Sequence, residues 1–138
     1  MILNMVILGN MNIKYLHYND NFYIYALDKG IQLGVIVLDI NCIEYPRYKE
    51  YCNGNKFAKI VRVETNPNYV GKGIASKLIN LAINKFNDYN FVLLCSPSKR
   101  NVDNDTLKTP SDLMMFYSKF GFVRTNEFLP TMIRKSNI

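Results

Sequence analysis

Two short segments of this 138-residue chain hold residues whose type and spacing suit them to chemistry. The first runs Asn66-Pro67-Asn68-Tyr69-Val70-Gly71-Lys72-Gly73-Ile74-Ala75-Ser76, with an apolar strand pattern before it and a helix pattern after it. Glycine reaches positive φ, so successive amide N–H groups can converge on one point. The start of a helix adds unpaired donors and about half a positive charge. A loop so built can hold a phosphate or pyrophosphate, with Lys72 adding a charge beside it. A tight turn that binds nothing is the plainer reading of the same residues. The loop lacks the Gly-Lys-Ser/Thr ending of a nucleotide-binding P-loop, and Ser76 stands where a dinucleotide fingerprint needs its third glycine. The second segment is Phe116-Tyr117-Ser118-Lys119-Phe120-Gly121-Phe122. Its aromatic residues fall at helical spacing, a pattern that by itself reads as core.

The elements around these segments follow from periodicity. Residues 22–27 are β-branched and aromatic, Asp28-Lys29-Gly30 is a turn, and Ile31–Asp39 is apolar again, which together predict an antiparallel hairpin. Asn41–Lys56 is polar and tyrosine-rich, with Pro46 and Gly54 as breakers, and reads as a loop or short irregular helix. Phe57–Thr65 is a strand stopped by Asn66-Pro67. From Gly73, apolar residues at Ile74, Leu78, Leu81, Ala82 and Phe86 predict a helix of about 14 residues. Phe91–Cys95 is wholly apolar, as in a strand buried on both faces. Strand, helix and strand within about 40 residues have the size of a parallel βαβ unit. Ser96–Lys108 is polar and loop-like; Thr109-Pro110-Ser111-Asp112 then starts a helix with a cap, a proline at its first position and an acidic residue, and Gly121 closes it. Short strands are expected over 122–125 and 131–135.

Composition excludes several classes. Hydrophobic residues at 49% against 20% charged rule out a disordered polymer, and the length is one domain's worth, 1–138. No apolar run reaches the roughly 18 residues a bilayer crossing needs, so no membrane partner is expected. The N-terminal MILNMVILGN has neither a basic flank nor a small-residue cleavage site and reads as a strand. Cys42, Cys52 and Cys95 have no metal-type spacing, and His17 is the single histidine; a metal centre and a disulfide framework are both unexpected, and a reducing cytoplasm is the expected location. The net charge of +6 is spread along the chain and fits solubility or a phosphate-bearing partner.

Val70-Gly71-Lys72-Gly73-Ile74-Ala75 resembles the acetyl-CoA loop of the GNAT superfamily of N-acetyltransferases, whose pattern is [Q/R]-x-x-G-x-[G/A]. Gly73 and Ala75 match; Val70 stands where Gln or Arg is usual, which removes a side-chain contact and leaves the backbone cradle. Downstream, Phe116-Tyr117-Ser118-Lys119-Phe120-Gly121-Phe122 resembles the family's F-Y-x-K-x-G-F, with Pro110 and Leu113 replacing the Asn and Ala that often precede it. The resemblance covers about residues 22–135. It implies an α/β (α+β) fold: a mixed, mostly antiparallel sheet with a central parallel strand pair and helices on its faces. It implies acetyl-CoA as co-substrate, no metal, and direct transfer of the acetyl group to an amine acceptor, small molecule or macromolecule.

Residue by residue, the resemblance gives the main chain of Val63, Glu64 and Thr65 to the pantetheine arm. It gives the amides of Val70, Gly71, Lys72, Gly73, Ile74, Ala75 and Ser76 to the pyrophosphate. The strands carrying Thr65 and Cys95 should splay apart around the thioester. Tyr117 matches the tyrosine that protonates the departing thiolate, and its ordinary pKa near 10 suits that role. Cys95 occupies a position where several members carry a Glu or His base, and a buried thiol is a poor substitute. Glu64, on the neighbouring strand, is the remaining carboxylate candidate for deprotonating the amine through water.

The chain departs from the family at its start. About 20 residues precede the hairpin, too few for the usual strand and two helices that wall the acceptor pocket. The acceptor side is therefore expected to be open, or completed by Asn41–Lys56 or by a second chain in a homodimer. An open, basic groove favours a macromolecular acceptor such as a protein or a tRNA-linked amine. Two other readings stand beside this one: a non-catalytic module that binds a CoA species or a protein, and a plain nucleic-acid binder. The second lacks an Arg-rich recognition helix.

Overall fold

Residues 11–18 and 21–28 bury every second side chain, as half-buried strands do. The computed structural model describes residues 2–8, 11–42, 56–96 and 109–136, the first stretch for its backbone alone. Strands β1 (Ile2–Leu8), β2 (Met11–Tyr18), β3 (Asn21–Asp28) and β4 (Ile31–Asp39) form an antiparallel meander. The strand expected at the N-terminus is β1, and β3–β4 is the expected hairpin. Its turn places Lys29 at φ 51° and Gly30 at φ 81°, the left-handed pair that a two-residue hairpin requires. Strand β2 is an addition to the expected elements. Met11, Ile13 and Tyr15 are buried and the residues between them half-buried, a period of two in a short polar-looking stretch.

Strand β5 (Phe57–Thr65) pairs antiparallel with β4, and β6 (Asn90–Leu94) pairs parallel with β5. The chain ends in β7 (Val123–Arg124) and β8 (Thr131–Arg134), giving the order β1-β2-β3-β4-β5-β6-β8-β7. Among the described residues this is one mixed sheet of eight strands whose single parallel pair lies inside it, as expected. Helix α1 (Ile74–Lys85) makes the crossover between the parallel strands and is 12 residues long, slightly shorter than its periodicity predicts. It buries Ile74, Ala75, Leu78, Ile79, Ala82 and Ile83 against the inner residues of β3, β4 and β5.

Helix α2 (Pro110–Ser118) starts as its sequence requires: Thr109 Oγ1 accepts from the Asp112 amide at 3.1 Å, and the Asp112 carboxylate accepts from the Thr109 amide at 3.2 Å. It ends two residues before Phe120 because the last turn tightens, with Phe120 N donating to Tyr117 O and Gly121 N to Ser118 O. Gly121, at φ 90°, turns the chain, and Arg134 Nε on β8 donates to the freed Phe120 carbonyl at 2.7 Å. The segments expected as loops over 43–55 and 97–108 lie outside the described residues.

Helix α1 lies close against the sheet at Gly34. A Cβ there would lie 2.8 Å from the Glu64 carbonyl oxygen, 2.9 Å from Ile74 Cγ2 and 3.2 Å from Leu78 Cδ1. Backbone on one side and a helix on the other leave nothing free to move. Gly34→Val is therefore expected to destabilise the fold by about 1–3 kcal/mol through overpacking, read as a lower urea midpoint at unchanged slope.

Candidate functional site

The parallel pair is stitched at one end and parted at the other. Asn90, fully buried, donates from its backbone and side-chain nitrogens to the Lys56 carbonyl and accepts from the Ser136 amide at 2.8 Å, tying β5, β6 and the end of β8 together. The ladder then runs through Phe57–Asn90, Ala58–Phe91 and Lys59–Val92 and goes no further. Beyond it β5 carries a bulge: Leu38 faces Ile60 while Val37 faces Arg62, so Val61 is extra. A bulge bends its strand and turns later side chains over. That is how Ile60 and Val63, three residues apart, both reach the buried face, while Val61 is left 53% exposed.

A cavity of about 470 Å³ opens where the strands part. Ile60, Val61 and Val63 of β5 line one side, Leu93, Leu94 and Ser96 the other, with Leu113 and Tyr117 of α2 across the end. The expected splay between the strands carrying Thr65 and Cys95 is present. Asp39, Lys59 and Arg62 complete the lining.

At the far end of β5, Asn66 fastens the chain before the glycine loop. Its amide donates to Leu33 O at 2.7 Å, its side-chain nitrogen to Gln32 O at 3.0 Å, and its side-chain oxygen accepts from Asn68 N. A 3-10 turn over Pro67–Tyr69 follows, then Gly71 at φ 77° and Gly73 at φ 76°. Both angles are left-handed, where an L side chain is strained. Gly73 caps α1 without a side-chain hydrogen bond, and the first turn holds no acidic residue. The N-cap therefore offers the amides opening α1 no side-chain acceptor, and no carboxylate of the first turn offsets the positive end of the helix dipole. These are the features a diphosphate needs, so the loop fits the co-substrate that the resemblance implies.

Tyr117 is 6% exposed and packs edge-on against Phe116 and Phe122. Burial, and then the nearby Cys95 thiol, push its ionisation well above the ordinary value, so it keeps its proton across the physiological range. Burial likewise pushes the Cys95 thiol up to about 11, with Arg124 pulling weakly the other way. Both groups are held neutral: Tyr117 keeps its proton but is a weaker acid than the ordinary tyrosine expected from the sequence, and the protonated Cys95 cannot take a proton.

The structure brings Val63 and Tyr117 to one cavity and leaves Glu64 and Thr65 outside its lining. Glu64 shares a face with Arg62, its Oε1 lying 3.3 Å from Arg62 Nε. The Thr65 hydroxyl is buried with no hydrogen-bond partner. Sequence reasoning did not find Asp39, Lys59 and Arg62 at the cavity, because a register between two strands decides their position. Among the described residues, no three His, Cys, Asp or Glu side chains gather as a metal site, and no helix is long and apolar enough to cross a membrane.

A model of the acetyltransferase (GNAT) family matches residues 7–122, so the chain belongs to that family. None of the curated proteins compared with it matches. Solved structures with the same fold include a protein described as histone acetyltransferase HPA2 and related acetyltransferase, from Corynebacterium glutamicum. It is 18% identical, with a TM-score of 0.59 over 86% of this chain and 66% of that one. PaiA N-acetyltransferase of Thermoplasma acidophilum, in complex with coenzyme A, is 21% identical, with a TM-score of 0.56 over 84% of this chain and 61% of that one. Naa50 of Arabidopsis thaliana, bound to a bisubstrate analogue of CoA and an acetylated peptide, is 21% identical, with a TM-score of 0.53 over 81% and 71%. This chain thus spans under two thirds of the length of the first two.

The burial of Cys95 has a direct readout. In a Cys42→Ala, Cys52→Ala variant, Cys95 is expected to resist a thiol-specific chromogenic reagent at mildly alkaline pH and to react fully once denaturant unfolds the chain, since the thiolate is the reactive form.

Proposed function

We propose that this chain is an acetyl-CoA-dependent N-acetyltransferase working by direct transfer to an amine acceptor. The observation that carries the proposal is the parting of β5 and β6 beyond Lys59, with a bulged strand on one side, Tyr117 at the end and an uncapped helix start at the far end of β5. That arrangement suits a long thioester laid along β5. The loop amides from Gly71 to Ser76 take the diphosphate, and the unladdered edge of β5 through Val63, Glu64 and Thr65 pairs with the amide-bearing arm. The thioester then lies in the cavity. The family membership and the fold shared with CoA-bound acetyltransferases support the same reading.

The amine nitrogen forms a bond to the thioester carbonyl carbon as the carbon–sulfur bond breaks. Tyr117 gives its hydroxyl proton to the leaving thiolate, and the proton lost by the amine restores it through solvent. Fixed main-chain donors along β5 stabilise the oxygen that gains charge. Glu64, ion-paired with Arg62 and outside the lining, is poorly placed as a base, so the amine arrives unprotonated or loses its proton to water. The buried Cys95 thiol, held in no disulfide, fits a reducing compartment such as the cytoplasm.

A non-catalytic CoA-binding module is the alternative, favoured by the neutral thiol at Cys95. Tyr117→Phe separates the two. For an enzyme, turnover with labelled acetyl-CoA and a cell extract is expected to fall about 10²- to 10⁴-fold, while calorimetry shows unchanged CoA binding. No labelled product from the unaltered chain favours the module.

Since burial raises the Tyr117 pKa, its protonated form persists above the ordinary tyrosine value of about 10. The rate is therefore expected to climb with pH as the amine loses its proton, with no descending limb from Tyr117 below about pH 10. A descending limb near neutrality that Tyr117→Phe abolishes would contradict this assignment.

A further inference from the structure

The last residue of β5 carries a polar atom that the fold leaves unanswered. Thr65 is 6% exposed, and its Oγ1 is buried without a hydrogen-bond partner. An unpaired hydroxyl in a protein interior bears a desolvation cost, and valine fills the same volume without it. Strand register says where the hydroxyl lies. Thr65 stands directly opposite Gly34, so the two share one face of the sheet. At Gly34 that face meets Ile74 Cγ2 and Leu78 Cδ1, in the first turns of α1. The Thr65 side chain therefore enters the angle between the end of β5 and the start of α1. The ladder also orients its main chain. Asn66 N donates to Leu33 O, so the antiparallel alternation turns the amide and carbonyl of Thr65 away from β4, toward the side from which β6 has parted. One residue thus presents its main chain to the gap and its hydroxyl to the corner where the helix begins.

Resting on the N-acetyltransferase reading above, we infer that the Thr65 side chain is a further contact to the co-substrate: its hydroxyl donates a hydrogen bond to a diphosphate oxygen of acetyl-CoA. Thr65 stands where the two halves of the proposed binding run meet, the arm along β5 and the diphosphate at the amides opening α1. The N-cap of that helix offers those amides no side-chain acceptor, so hydroxyl and amides form one set of neutral donors at one corner, which suits an anion. The family resemblance involves only the main chain of Thr65, which a valine would supply equally well; the hydroxyl is what this chain adds. Because that hydroxyl is already out of water in the free protein, the bound anion gains a donor with no further desolvation of it.

The test uses the full chain, unaltered and as Thr65→Val and Thr65→Ser. Two quantities are read for each: the urea midpoint without ligand, and the calorimetric Kd for CoA and for 3′-phospho-ADP, the half of CoA that keeps the diphosphate and lacks the arm. Thr65→Val is expected to weaken both ligands about tenfold or more. Its ligand-free midpoint is expected to stay level or rise, because the variant keeps the shape and loses an unpaired group. Thr65→Ser retains the hydroxyl and is expected to hold both Kd values within about threefold, even where the lost methyl lowers the midpoint. An unchanged Kd for CoA in Thr65→Val overturns the inference. So does a loss confined to CoA and absent for 3′-phospho-ADP, which would give the hydroxyl to the arm. A weaker Kd accompanied by a lowered midpoint in Thr65→Val also overturns it, since that pairing marks a structural role. Failure of CoA to bind the unaltered chain overturns instead the reading on which the inference rests.

Discussion

The parallel pairing of β5 with β6 is short, and most of what distinguishes this molecule follows from where it stops. Asn90 binds three strands at the closed end, so the two cannot slide or separate there. Past Lys59 and Val92 the strands lean on different neighbours, β5 on β4 and β6 on β8. Each keeps a full ladder on its outer side, so the inner edges can part without unravelling the sheet. A parted inner edge is a row of backbone donors and acceptors inside a protein, which is costly unless something pairs with it. The opening therefore suits an extended amide-bearing guest.

Burial and charge divide the labour around that opening. The deep end is apolar, and burial keeps Tyr117 and Cys95 in their protonated forms at rest. The loop end is a helix start whose first turn holds no acidic residue. The third end, at Asp39, Lys59 and Arg62, bears fixed charges of both signs. One strand, β5, connects all three, and its bulge at Val61 changes which side chains each region receives.

Much of this was legible in the sequence where the signal is local. Thr109-Pro110-Ser111-Asp112 specifies a helix start by capping chemistry alone, and Asp28-Lys29-Gly30 specifies a two-residue turn. The order strand, glycine loop, helix, apolar strand was enough to predict a parallel crossover and to place the loop at its turn. What the sequence hid depends on partners distant in the chain. The extra residue at Val61 exists only relative to the register of β4, and the place of Asp39 at the cavity depends on the same register. The pairing of Glu64 with Arg62 likewise emerges only once β5 is extended and places both on one face. Strand β2 is short, and only Met11, Ile13 and Tyr15 alternate with Asn12 and Lys14, a pattern too brief to specify a strand without its partners β1 and β3.

The close seat of α1 on Gly34 has a consequence for how a guest is received. Ile74 and Leu78 are wedged against β4 at one end of the glycine loop, and Asn66 is knotted to Gln32 and Leu33 at the other. The few residues between are strung across two fixed posts, with little room to wander. Ordering a slack loop would cost about 1–2 kcal/mol for each residue frozen. Here that entropy is surrendered when the chain folds, so on the proposed reading a diphosphate held at this loop loses little affinity to ordering it.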